Sequence, residues 1–219
     1  MRGSAVLLCA ALAGFAFGLI AASIVGVYHI FQLPALNLAL SRAIFVAKHV
    51  FGFLQSIGAG GFQTLVLSIG VGIFLNNCIV VAIILFSPIL IFKAKPFSDK
   101  HLGKLYQRYG LWLFKPLGWR AYRVLAAILP LYALALQFYL IGGTILSLEK
   151  QLSGLSFLAL EILAVAAACL IAIQPSMSSQ PLEELPRYIR KIKVGMPAII
   201  AVLFLAALLE AYQLLSAIL

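Results

Sequence analysis

Residues 195–219 read GMPAIIAVLFLAALLEAYQLLSAIL, an apolar run long enough to cross a bilayer, with one acid, Glu210, inside it. About eighteen or more apolar residues in succession mark a transmembrane helix. An ionisable group at bilayer depth costs roughly 2.5–3.5 kcal/mol on insertion scales, so something must offset that cost or use it. Four more such runs precede it, at 4–28, 62–92, 124–148 and 155–174. Mean hydropathy is +1.11 and 10% of residues are charged, against about 25% in a soluble domain. So few charges cannot solvate one large globular core. The expected fold is an all-α polytopic membrane helix bundle, a single integral membrane domain over residues 1–219.

Arg2 precedes the first run, which is longer than the roughly 7–15 apolar residues of a signal peptide and reads as a retained anchor. The second run, 31 residues, makes about 46 Å of helix against a hydrocarbon core of about 30 Å. It must tilt, project or break, and Asn76-Asn77 and Pro88 are the expected places. Five spans are expected, or six if this one divides.

The net charge of +10 gathers beside apolar segments rather than in a nucleic-acid-binding patch, so no nucleic acid partner is expected. Strict alternation of the five spans places Arg2, residues 93–123 and residues 175–194 on one side, with thirteen Lys and Arg against three on the other. The positive-inside rule then puts the N-terminus in the cytoplasm and the C-terminus outside, in a multi-pass cell-membrane protein.

Three interfacial helices are expected at 34–57, 98–114 and 181–194. In the first, Asn37, Ser41, Arg42, Lys48, His49, Gln55 and Ser56 share one arc. Leu36, Leu40, Ile44, Ala47, Val50, Phe51 and Leu54 lie opposite. In the second, basic and aromatic side chains interleave. Lys93, Lys95, Lys104, Arg108, Trp112, Trp119, Arg120 and Arg123 are expected to touch anionic lipid headgroups on the inner side. Gly14, Gly18, Gly70 and Gly72 allow close helix contact and with it a homodimer.

Polar residues at membrane depth are few: Asn76, Asn77, Gln137, Glu161 and Glu210. With the expected topology, Glu161 lies about 9 Å and Glu210 about 12 Å from the outer surface. Two carboxyls at matched depth on antiparallel helices can be read in three ways. They can be neutral acids hydrogen-bonded to a neighbouring helix such as the one carrying Asn76 and Asn77. They can line a cavity for an ion, proton or polar solute. They can be paired for acid–base chemistry. The chain has no HExxH motif and no Ser–His pairing, and His29, His49 and His101 are scattered. No metal, cofactor or enzymatic activity is expected. Cys9, Cys78 and Cys169 show no ligand or redox spacing.

Three of these stretches carry a resemblance. IFLNNCIVVAIILF at 73–86, ALEILAVAAACLIA at 159–172 and PAIIAVLFLAALLEAYQ at 197–213 resemble, in order, helices of the stage II sporulation protein M family. The matching positions are Asn76, Asn77, Glu161, Ala164, Ala206, Ala207, Glu210 and Ala211. The family's Leu-Pro-His-Gly before the acidic helix is replaced here by QLSGLSFL. The resemblance implies a non-catalytic membrane scaffold or assembly factor for other membrane or cell-envelope proteins. The alternative is a small transporter or channel whose cavity is lined by Asn76, Asn77, Glu161 and Glu210.

Overall fold

A computed structural model describes residues 2–26, 34–144 and 155–216. The far ends of the first and third expected spans (27–28 and 145–148), the turn 149–154 and residues 217–218 of the last span lie outside the described residues. Regular structure among the described residues is helical throughout: α1 (Arg2–Val25), α2 (Pro34–Ser56), α3 (Phe62–Tyr109), a 3-10 turn (Trp112–Phe114), α4 (Trp119–Thr144), α5 (Leu155–Ala172), α6 (Gln174–Met177) and α7 (Pro181–Ser216). The fold is an all-α helical bundle, and six of these segments are long and apolar enough to cross a membrane.

The tightest packing joins α1 to α4. Leu7, Ala11, Gly14, Gly18 and Ala22 are buried on one stripe of α1, at the three- and four-residue spacing of a helix face. A Cβ at Gly14 would overlap the Ala135 carbonyl oxygen, one at Gly18 that of Tyr139, and one at Gly142 that of Phe15. The absence of side chains is therefore what lets the two backbones touch, as in small-xxx-small membrane pairs. Residue numbers rise together along the contact, so α1 and α4 are parallel.

Other contacts set the remaining directions. Phe62 meets Tyr212 edge-on at 5.8 Å and Phe74 meets Phe204 at 5.3 Å, so α3 and α7 are antiparallel. The Cys169 thiol donates to the Pro130 carbonyl at 3.2 Å, and Arg123 Nη1 donates to the Ser178 carbonyl at 3.1 Å. α4 and α5 are therefore antiparallel too. Phe92, Leu85, Ala126, Ala168, Ala172 and Leu203 form a fully buried core where α3, α4, α5 and α7 meet.

α3 does not break at Asn76-Asn77 or at Pro88. Pro88 has no N–H for the Ile84 carbonyl. The Ser87 hydroxyl donates to that carbonyl at 3.3 Å, and the Tyr188 hydroxyl of α7 donates to the Leu85 carbonyl beside it. With its exposed carbonyls served, the helix continues for 48 residues, about 72 Å at 1.5 Å per residue. The excess length projects beyond the apolar part. The separate helix expected at 98–114 is instead the last third of α3, closed by Gly110 in the left-handed region, whose N–H donates to the Tyr106 carbonyl. The expected helix at 181–194 is likewise continuous with the last span, as the first part of α7.

α2 departs from its expected arrangement. It folds back along α3 after a short turn, and Gly72 lies against Ala43 and Ala47. Its half-buried stripe is Ala39, Ala43, Val46, Ala47, Val50, Phe51 and Leu54, together with Arg42, while Leu40 and Ile44 face outward. Ala47, Val50, Phe51 and Leu54 of the expected apolar arc face the bundle and every expected polar residue but Arg42 is exposed, so the arcs hold in large part, with the helix turned toward Ala39, Ala43 and Val46. The bare backbone at Gly72 accounts for that turn, because in lipid apolar faces gain little by pairing and close approach gains more. α2 has a mean hydropathy of 1.2 against 2.1–2.5 for the other five. Consecutive crossings alternate in direction, but α1 and α2 point the same way. The alternating series is α1, α3, α4, α5 and α7.

Gly14 and Gly18 are occupied by α4, Gly70 by Leu208 and Ala207 of α7, and Gly72 by α2. All four glycines expected to serve a homodimer are thus used within the chain. Gly14→Val is expected to destabilise the bundle by about 1–3 kcal/mol through overpacking, read as a lower melting temperature in nanodiscs. Gly52→Ala, which meets nothing within 4 Å, should hold or raise that temperature, since alanine favours the helix by about 0.5–1 kcal/mol.

Candidate functional site

The intramembrane polar residues come from three helices that pack through small side chains. On α5, Ala164, Ala168 and Ala172 are buried, and on α7, Ala206, Ala207 and Ala211. A Cβ at Gly195 would lie 2.8 Å from Ile171, a sign of how near α7 runs to α5. Glu161 and Glu210 stand three or four residues from these alanines, hence on the same sides of their helices.

Asn77 Nδ2 on α3 donates to Glu161 Oε1 on α5, and Asn76 Nδ2 reaches Asn77 Oδ1 at 3.4 Å. Glu210 on α7 lies near enough to Glu161 for their charges to interact. Four of the five expected residues are thus neighbours, in the order Asn76, Asn77, Glu161, Glu210. Asn76 Oδ1 is buried with no hydrogen-bond partner. An amide donor suits either form of a carboxyl, since both keep an acceptor oxygen.

Gln137 is at the same depth but stands apart. Counting from the Cys169–Pro130 contact, Gln137 is seven residues along α4 and Glu161 eight back along α5. Gln137 is half-buried, and no hydrogen bond joins it to the other four.

Two surface clefts lie at opposite ends of the bundle. One is lined by Phe62, Gln63, Val66, Leu67, Leu208 and Tyr212, the other by Trp119 and residues 179–183. Neither is lined by Glu161 or Glu210. Among the described residues, no three His, Cys, Asp or Glu side chains come together as a metal site would require.

The basic segment divides in a way its composition did not announce. Lys93, Lys104, Arg108, Trp112, Trp119 and Arg120 are exposed. Lys95, expected at the headgroups, is only 6% exposed. It pairs with Asp99 one turn on, and its ammonium lies 4.8 Å from the Trp119 ring centre and 5.5 Å from that of Tyr122. An anion and two ring faces replace its water, so this cation is taken up inside the protein. Arg123 is also turned inward, onto the Ser178 carbonyl. Asp99 and Tyr122 were not anticipated as partners. The four-residue spacing of Lys95 and Asp99 was the available signal.

Arg42 is the other unexpected placement. It lies on the side of α2 that meets α3, and its Nε is buried without a hydrogen-bond partner.

A double-mutant cycle on Asn77→Ala and Glu161→Ala should give a coupling of about 0.6–1.7 kcal/mol, the range of interhelical hydrogen bonds in membranes. Unfolding in mixed micelles would measure it, and strict additivity would show that the bond adds no stability.

No protein-family model, curated protein or solved structure matches this chain.

Proposed function

We propose that the chain is a non-catalytic integral membrane scaffold or assembly factor, which presents its bundle to other membrane or cell-envelope proteins. The observation that carries this reading is the Asn77–Glu161 hydrogen bond between α3 and α5, with Glu210 of α7 beside it. The amide of α3 and the carboxyl of α5 are bonded there, with Glu210 of α7 alongside, among buried alanines. The likeness of these positions to the stage II sporulation protein M family supports the same reading. The basic loops share an end of the bundle with the start of α1, where Gly3 packs near Ile173 and Met177. We place that end in the cytoplasm and the C-terminus outside.

The second reading, a small transporter or channel, draws on the unpartnered Asn76 Oδ1 and the paired carboxyls. A donor or cation carried by a solute would supply the partner that Asn76 Oδ1 lacks.

Glu210→Gln separates the two readings. For a scaffold, the variant keeps its unfolding free energy within about 1 kcal/mol and retains the proteins that copurify with the wild type from native membranes. For a transporter, wild-type protein in liposomes carries a pH-dependent flux that the variant lacks. Flux absent from both excludes transport, and loss of the copurifying proteins from a folded Glu210→Gln variant counts against the scaffold.

A further inference from the structure

We propose that the end of α3 and the connection to α4, residues 93–120, form a foot that docks on anionic phospholipid headgroups. The inference does not depend on how the polar cluster is used.

The foot starts where the apolar part of α3 ends. Beyond Phe92, fully buried, the helix continues to Tyr109, about 25 Å further. Pro96 has no N–H for the Phe92 carbonyl, which makes this the point where the helix axis can turn most easily. The root is fixed by the Lys95–Asp99 pair and the rings of Trp119 and Tyr122. Asp99 is the one acid between 93 and 123, and Lys95 already takes it. Lys93, Lys100, Lys104, Arg108, Lys115 and Arg120 are therefore exposed cations for which the segment holds no acid other than the one paired with Lys95.

The apolar side chains are equally specific in placement. Gly110 turns the chain, and the 3-10 turn is closed by Phe114 N–H on the Leu111 carbonyl and Lys115 N–H on the Trp112 carbonyl, both at 3.0 Å. That turn holds Trp112 and Leu113 outward, 82% and 77% exposed. Phe97 and Leu111 are exposed too. Left in water these would be an apolar liability. At headgroup level the indole suits its surroundings and each cation meets phosphate. Both ends of the segment enter spanning helices, so it is already held beside a lipid surface. Charge complementarity selects the anionic one.

Trp112 and Trp119 are the two tryptophans of the chain, so Trp119→Phe leaves Trp112 as the sole reporter. Trp112→Phe supplies the Trp119 background and guards against disturbance of the Lys95 site. The full chain is placed in nanodiscs of phosphatidylcholine alone or mixed with phosphatidylglycerol, and acrylamide quenching is measured. The expected result is about threefold weaker quenching of Trp112 in anionic discs, reversed by high salt, as screening requires. Changing Lys100, Lys104, Arg108 and Lys115 together to Gln should abolish the difference without changing the melting temperature. Equal quenching in the two disc types overturns the proposal. So does protection that arises only when two copies share a disc, which would assign this face to a second chain.

Discussion

Contact between bare stretches of helix backbone is the interaction on which this architecture rests. In water, an apolar stripe is enough to bring a helix onto its neighbour. In lipid the surroundings are as apolar as the stripe, and helices gain mainly where they approach closely enough for dispersion and polar contacts. The glycines at 14, 18 and 142 give α1 and α4 such a contact, Gly72 gives one to α2 and α3, and alanines do the same for α5 and α7. Once these pairs form, the direction of every crossing follows.

The polar chemistry is arranged on that frame, differently at the two ends. Toward the C-terminal end of the bundle lie amides and carboxyls, Asn76, Asn77, Glu161 and Glu210, on three helices. Toward the N-terminal end lies a single cation, Lys95, enclosed by Asp99 and two aromatic rings. One cluster joins helices across the bundle. The other fixes the point where α3 leaves it. Between them, the Tyr188 hydroxyl and Ser87 keep α3 continuous past Pro88.

Hydropathy and the depth of each polar residue made much of this readable beforehand. The all-α bundle and the apolar runs follow from composition and length. The neighbourhood of Asn77, Glu161 and Glu210 follows from three helices whose polar residues sit at one depth. Gln137 shows the limit of that reasoning, since it shares the depth but not the bond. What escaped has a common cause. The turn of α2 that seats Ala43 and Ala47 depends on Gly72 of another helix, which no helical wheel of α2 contains. Lys95 counted as one more cation in a basic loop, yet Trp119 and Tyr122, a chain turn away, take it inward. The continuity of α3 depends on a hydroxyl from residue 188. Each is a long-range partner that acts on a locally ambiguous segment.

The parallel pairing of α1 with α4 has a consequence for how the protein is made. α1 leaves the ribosome well before α4, on which its docking surface spans Ala135 to Gly143. At about 5–20 residues per second, α1 resides in the bilayer for something like 6 to 25 seconds before that surface exists. During that interval its glycine stripe faces lipid or whatever chaperone attends the nascent chain. The α2–α3 contact, complete by Gly72, can therefore form before α1 has a partner, although α1 comes earlier in the chain.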